Sequence, residues 1–192
     1  MQVEGTTHST AVPFEWRSFD WRSSATERPM ARVWLSDIDR IRDPASPLNL
    51  ELRQGPTLCT TYLAFNVTMP PFDDVKVRQA FALALDIDKK LTVSLKGVAD
   101  RASGFVPPGI PAHNASLTPV PFAPDLAVSL LEQSRYRGVD DLPPIVSFAA
   151  DEAMHWMWTE YLGVEVEAVS LPEPQDYHSR LDAKELPLWS AQ

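Results

Sequence analysis

The sequence is poor in the residues that most often announce a chemistry. It has one cysteine, Cys59, in 192 residues. A single thiol forms no internal disulfide and supplies no zinc-ligand spacing. With no placed histidine partner nearby, it reads as a small buried hydrophobe in a strand rather than a nucleophile. Glycine is sparse, with seven residues against eighteen prolines. The prolines pair at Pro70-Pro71, Pro107-Pro108 and Pro143-Pro144, so they mark rigid connections between elements rather than floppy linkers. Positive charge is in deficit: 17 Lys and Arg stand against 26 Asp and Glu, a formal net charge of -9. That balance excludes a nucleic-acid backbone as the natural partner and argues against an anionic membrane surface. No apolar run reaches the roughly 18 residues of a transmembrane helix. The first thirty residues lack the basic start and apolar core of a signal peptide, so none is read in this chain. Taken at face value the chain would stay where it is made, unless Met1 is not the natural start of the parent protein. G-x-x-x-x-G-K-[ST], G-x-G-x-x-G and G-x-S-x-G are all missing, and nucleotide and hydrolase signatures with them.

What remains is enough for a packed core, since 44% of residues are hydrophobic. Residues 1–35 carry Trp16, Trp21 and Trp34 without a sustained period and read as an irregular N-terminal extension. Ser36 to Pro44 could form one or two helical turns, capped by Ser36 and stopped before the proline. Leu48 to Pro56 alternates apolar and polar residues and predicts a half-buried strand. Thr60 to Phe65 predicts another, with Thr61, Leu63 and Phe65 on one face and Thr60, Tyr62 and Ala64 on the more polar one. Pro70-Pro71 ends it. Asp73 or Asp74 then caps a helix from about Val75 to Leu85, whose stripe is Val77, Phe81, Ala84 and Leu85. Capping is a far more common use of such an acid pair than acid/base catalysis. Asp86 or Asp88 starts a second helix that Gly97 ends.

Residues 98–124 form a Pro-rich stretch too long for a plain connection, which makes it functional or a packing arm. A helix follows from Pro124-Asp125. PPIVSFAA, DEAMHWMWTEYLG and VEVEAVSL then read as strand, helix and strand. Short joins make them a right-handed βαβ crossover with parallel strands. PQDYHSRLDAKEL predicts a last helix and LPLWSAQ the start of a strand. The four histidines His8, His113, His155 and His178 make no metal pair at helical spacing; His155, beside Trp156 and Trp158, reads as packed or half exposed. Trp156, Trp158 and Tyr161 could line a pocket, though at helical spacing such a set is more often core. NVT at 66–68 and NAS at 114–116 fit glycosylation sequons that also arise by chance. The residues alone indicate an acidic α/β domain that binds rather than catalyses.

One segment goes further. YLAFNVTMPPFDDVKVRQAFALALDIDKK resembles the most recognisable part of the family 5 extracellular solute-binding proteins, the peptide, dipeptide and nickel receptors of ABC importers. The family pattern is an aromatic strand ending in Phe-Asn, then Pro-Pro-Phe, an acidic cap and V-R-Q-A, and Val77, Arg78, Gln79 and Ala80 stand here unaltered. GPTLCTTYLAFN before it follows the family order, as do SGFVPPGIP, DLAVSLLEQSRY, MWTEYLGVEVEAVSL and DYHSRL after it.

The resemblance covers residues 36–192 and implies a mixed sheet flanked by helices, one lobe of a class II periplasmic binding protein-like fold. It implies a fragment holding most of one lobe, with the partner lobe of the same receptor missing. It implies four positions that could face a ligand, Thr57, Tyr62, Ser190 and Gln192, with Tyr62 foremost because family members often have a tyrosine there and alternation puts it on the polar face. Packing is the competing role for a strand tyrosine. No catalytic residue, metal or cofactor is implied. The implied partners are a peptide or small-molecule solute and ABC permease subunits, in a periplasmic or extracytoplasmic location. Where the family often has Glu-Trp before the last helix, this chain has Glu173-Pro174, and the join after SFAA is shorter than usual. The alternative is a stand-alone protein-interaction module derived from the lobe, because a lone lobe exposes the apolar face that meets its partner.

Overall fold

A computed structural model describes residues 33–55, 58–148, 151–170 and 174–191. The chain divides into two units, Met1–Gly55 and Pro56–Gln192. Residues 1–32 of the N-terminal extension lie outside the described residues. In the first unit, helix α1 (Ile38–Arg42) buries Ile38 and Ile41 and follows Asp37, which makes no side-chain cap. The strand expected over Leu48 to Pro56 does not form. Asn49–Glu51 is a tight 3-10 turn instead, and Leu50 is 84% exposed. Alternation buries a face only where a neighbouring strand pairs with it. Here local partners take the backbone: the Asn49 amide donates to the Ile41 and Arg42 carbonyls, and Arg53 to those of Leu50 and Leu52.

The second unit is built on strand β1 (Tyr62–Phe65) and the corner after it. Asn66 ends the strand. Its side-chain oxygen accepts from the Thr68 N–H and hydroxyl at 3.0 and 2.7 Å, and its amide donates to the Lys184 carbonyl at 2.9 Å. With its side chain so engaged and only 9% exposed, Asn66 of the NVT triplet is a structural residue. The chain turns through Pro70-Pro71, a cis bond, into helix α2 (Val75–Leu83). Asp74 caps it, one carboxylate oxygen accepting from the Lys76 N–H at 2.8 Å and the other from the Arg135 N–H at 2.9 Å. These bonds, the Arg135 one foremost, hold the Asp74 carboxyl below the usual carboxylate value. Asp73 pairs with the Arg135 guanidinium.

Helix α3 (Ile87–Lys89), capped by Asp86, continues into a π-helical turn, Lys90–Ser94. Helix α4 (Pro124–Glu132) packs against α2. Strand β2 (Ile145–Phe148), helix α5 (Glu152–Leu162) and strand β3 (Val166–Val169) form the expected crossover with parallel strands. Asp151 caps α5 through the Met154 N–H, and Gly163 closes it at a φ of 69°, in the left-handed region that glycine enters without strain. Helix α6 (Pro174–Asp182) and strand β4 (Leu188–Ala191) follow.

The sheet order is β1-β4-β2-β3, with β4 antiparallel to β1 and parallel to β2. From β2 the chain crosses by α5 to β3 on one side, then by α6 back to β4 on the other. Crossovers of one hand running in opposite directions place their helices on opposite faces. The contacts agree: α5 packs with α2 and α4, while Leu181 of α6 lies with Trp189 at a cavity on the other face. Register assigns the side chains. Leu63, Phe65, Leu188, Ile145 and Val166 face the core under α2, α4 and α5. There Phe72, Phe81 and Trp158 stack in series with ring centroids 5.1 and 5.3 Å apart. Trp158 is fully buried, and its indole N–H donates to the Phe81 carbonyl at 3.0 Å. Of the three aromatics considered as pocket lining, Trp158 is core, Tyr161 packs beside it and Trp156 is 47% exposed. Cys59 also departs from expectation: it is exposed, because pairing with β4 begins only at Tyr62.

Candidate functional site

Open α/β sheets place ligands outside the carboxyl ends of their parallel strands, where successive crossovers diverge. Here the carboxyl end of β2 leads into α5 on one face and that of its neighbour β3 into α6 on the other, so the exits diverge between β2 and β3 on the same carboxyl edge that β4 shares. Because β1 runs antiparallel, its first residue, Tyr62, stands at the same edge as the last residues of β4. The strand-to-helix corner after Asn66 therefore aims β1 so that its start, not its end, reaches this edge.

Tyr62 pairs with Ala191, and Leu63 with Ser190. Paired residues share a face, so Tyr62 and Ser190 are neighbours on adjacent strands whose side chains leave opposite faces. Thr57 and Gln192 lie outside the described residues, as do Glu173 and the Ala149-Ala150 join after β2. Ser190 contributes its backbone to the Tyr62 side: its carbonyl accepts from the Tyr177 hydroxyl of α6 at 3.2 Å. Burial, then the nearby Tyr62, pushes the Tyr177 phenol above its ordinary value. Among the described residues nothing hydrogen-bonds the Tyr62 hydroxyl. Its ring meets Phe105 edge-on with centroids 5.1 Å apart. Phe105 comes from the Pro-rich stretch and is 69% exposed.

Phe105 and Tyr177 stand at the Tyr62 edge, and the sequence pattern did not single them out. Phe105 carried a weak signal, being an aromatic in a stretch of prolines and small residues. Tyr177 carried none, since it lies in an ordinary amphipathic helix.

A second polar pair lies on the core face. The Ser147 hydroxyl and His155 Nε2 are 2.5 Å apart, and burial pushes the imidazole below its usual value despite the Asp151 and Glu152 carboxylates. Ser147 is 1% exposed, and Asp151 is engaged by the Met154 N–H and the Lys90 ammonium. The pair satisfies a buried hydroxyl between β2 and α5. Among the described residues no three His, Cys, Asp or Glu side chains gather as a metal site would require.

The model of the family "Bacterial extracellular solute-binding proteins, family 5 Middle" matches residues 29–192. The glutathione-binding protein GsiB of Salmonella typhimurium LT2 is 40% identical over 88 residues, which are 46% of this chain and 17% of that protein. The Escherichia coli murein tripeptide binding protein MppA superposes with a TM-score of 0.68 at 20% identity, over 81% of this chain and 32% of that one. A dipeptide binding protein from Pseudoalteromonas sp. SM9913, solved with Met-Leu, gives a TM-score of 0.57 at 26% identity, covering 68% of this chain and 28% of that one. The chain thus spans a third or less of these relatives, whose fold is that of class II periplasmic binding proteins. On the strength of the family match over most of its length, the chain belongs to the family 5 bacterial extracellular solute-binding proteins, which are transport receptors rather than enzymes.

Proposed function

We propose that this chain supplies the middle part of an ABC-transporter receptor that captures a peptide or similar small solute outside the cytoplasmic membrane and passes it to permease subunits. The observation that carries this reading is the position of Tyr62. Its hydroxyl, without a hydrogen bond among the described residues, and its exposed aromatic neighbour stand at the carboxyl edge of the sheet, the edge at which α/β folds hold ligands. The relatives' own solutes support the peptide class, since one is named for glutathione and others for a murein tripeptide or a dipeptide. Binding is non-covalent, by polar groups that fix orientation and aromatic rings that supply contact area. Capture between two lobes is a hinge-type closure, and the rest of the receptor would provide the second lobe.

Isothermal calorimetry with mixed di- to pentapeptides tests this. Enclosed on one side only, a peptide should bind this chain more weakly than about 1 μM, the affinity worth roughly -8 kcal/mol. Tyr62→Ala should weaken it at least about fivefold, as loss of a contact residue does. An isotherm unchanged by Tyr62→Ala would sink the assignment of the edge.

A further inference from the structure

Among the described Phe and Trp side chains Phe105 is the most exposed, at 69% against 47% for Trp156. Exposed aromatic area is unfavourable in water, and a loop free to rearrange would fold such a ring inward. This stretch is tied down on both sides of the ring. The Arg101 guanidinium binds both the Asp88 carboxylate and the Val120 carbonyl, joining the start of the stretch to its end. His113 Nδ1 lies 2.8 Å from the Val106 carbonyl, one residue after the ring. One residue before it, a Cβ placed on Gly104 would come within 2.8 Å of the Leu117 side chain, so the backbone there is seated directly against that leucine. At its far end the Ala123 N–H donates to the Leu83 carbonyl of α2 at 2.9 Å. The stretch is a braced arm that presents Phe105.

The arm presents the ring to one place. Its partner is Tyr62, at 5.1 Å and an interplanar angle of 62°. Tyr177 reaches the same edge from α6, its hydroxyl donating to the carbonyl of Ser190, the residue before Ala191, which is the register partner of Tyr62. Three aromatic rings from three separate elements thus converge at the edge assigned to the solute. Edge-on pairs leave ring faces and edges open to a further aromatic group.

We propose that Phe105, with Tyr62 and Tyr177, forms an aromatic wall that selects peptides carrying an aromatic side chain over those with small or charged ones. This rests on the receptor reading above, and names the class of solute that the site prefers. One added aromatic contact corresponds to about threefold to tenfold in affinity.

The test is a titration of the 192-residue chain, by NMR chemical shift, with Gly-Phe-Gly, Gly-Ala-Gly and Gly-Lys-Gly. Wild type should bind Gly-Phe-Gly at least about threefold tighter than the other two. Phe105→Ala should weaken Gly-Phe-Gly at least about threefold more than it weakens Gly-Ala-Gly, so that the preference disappears. Phe105→Leu, which keeps apolar bulk without a ring, should retain less than half of the preference and controls for any loss of folding in the alanine variant. Equal affinities for the three peptides in wild type, or a uniform loss for all three in both variants, would overturn the wall and leave the receptor reading standing. Absence of any shift at the carboxyl edge with all three peptides would overturn both.

Discussion

The two faces of the four-stranded sheet follow different rules. On the core face, Leu188 is fully buried and Leu63 and Phe65 are half-buried under α2, α4 and α5, and the polar groups there, Ser147 with His155 and the Trp158 indole with Phe81, have partners. At the Tyr62 edge of the other face, a tyrosine hydroxyl has no hydrogen bond among the described residues and a phenylalanine is braced into solvent. Natural folds hide aromatic area and satisfy polar atoms wherever stability alone decides. The first region obeys that rule; the second gives stability away at positions where a solute would supply the missing contacts. Substitutions on the core face should therefore cost stability without touching binding directly, and those at the edge should do the reverse.

The sharpest break in that comparison comes from Trp158→Ala. Removing a fully buried indole together with its hydrogen bond should cost about 3–5 kcal/mol, a large part of the roughly 5–15 kcal/mol that stabilises a domain. Urea titration followed by circular dichroism measures it, and a loss under 1 kcal/mol would mean that the α2–α5 contact is not what holds the sheet's back. Asp74→Ala comes next. It removes the cap of α2 and strands the Arg135 N–H, for a loss of about 1–3 kcal/mol. The loss should shrink in acid: the Asp74 carboxyl is held below its ordinary value, so its contribution is full above about pH 4 and fades as pH falls through the folded-state value.

A smaller pH effect of the same sign, set in a higher pH window, belongs to His155. Its imidazole is held below the ordinary value by burial, so the unfolded chain binds the proton more readily than the folded one. Stability is complete above about pH 6.5 and declines as pH drops toward the folded-state value. The urea midpoint should fall between about pH 7.5 and pH 5.5 in wild type and fall less in His155→Gln; parallel pH profiles would remove His155 from the core's account. Smallest of all should be the stability change in Phe105→Ala, within about 0.5 kcal/mol. A larger loss, read from the same urea curves, would make the ring a packing residue.

Much of the fold was readable from local chemistry. The β2–α5–β3 unit declared itself because period, the Asp151 cap and the Gly163 stop all agreed, and each acts within a few residues. The α2 cap was equally local, set by the Asp74 bond to the Lys76 N–H, although both Asp73 and Asp74 also hold Arg135, which is 61 residues beyond Asp74. What escaped depends on distant partners. Leu48 to Pro56 alternates like a strand, but alternation does not create a neighbour to pair with. Cys59 looked internal because the pairing limit at Tyr62 is invisible in its own surroundings. At the edge, alternation placed Tyr62 on the face away from the core. Ser190 could not be assigned a face without its register against Leu63. Phe105 meets Tyr62 across about forty residues of chain, in a stretch held by Arg101, His113 and the Ala123 N–H, contacts that no local pattern announces.

The central claim is that the solute meets the Tyr62 edge. The structure offers a rival at the opposite edge, a cavity of ≈ 260 Å³ lined by residues that include Asn66, Leu181 and Trp189. Backbone amide shifts of the isotopically labelled chain, recorded during a peptide titration, separate the two directly. Saturable shifts should cluster at Tyr62, Phe105, Tyr177, Ser190 and Ala191 and spare Asn66 to Thr68 and Lys184. Shifts confined to Asn66, Thr68, Lys184 and Leu186 would contradict the account.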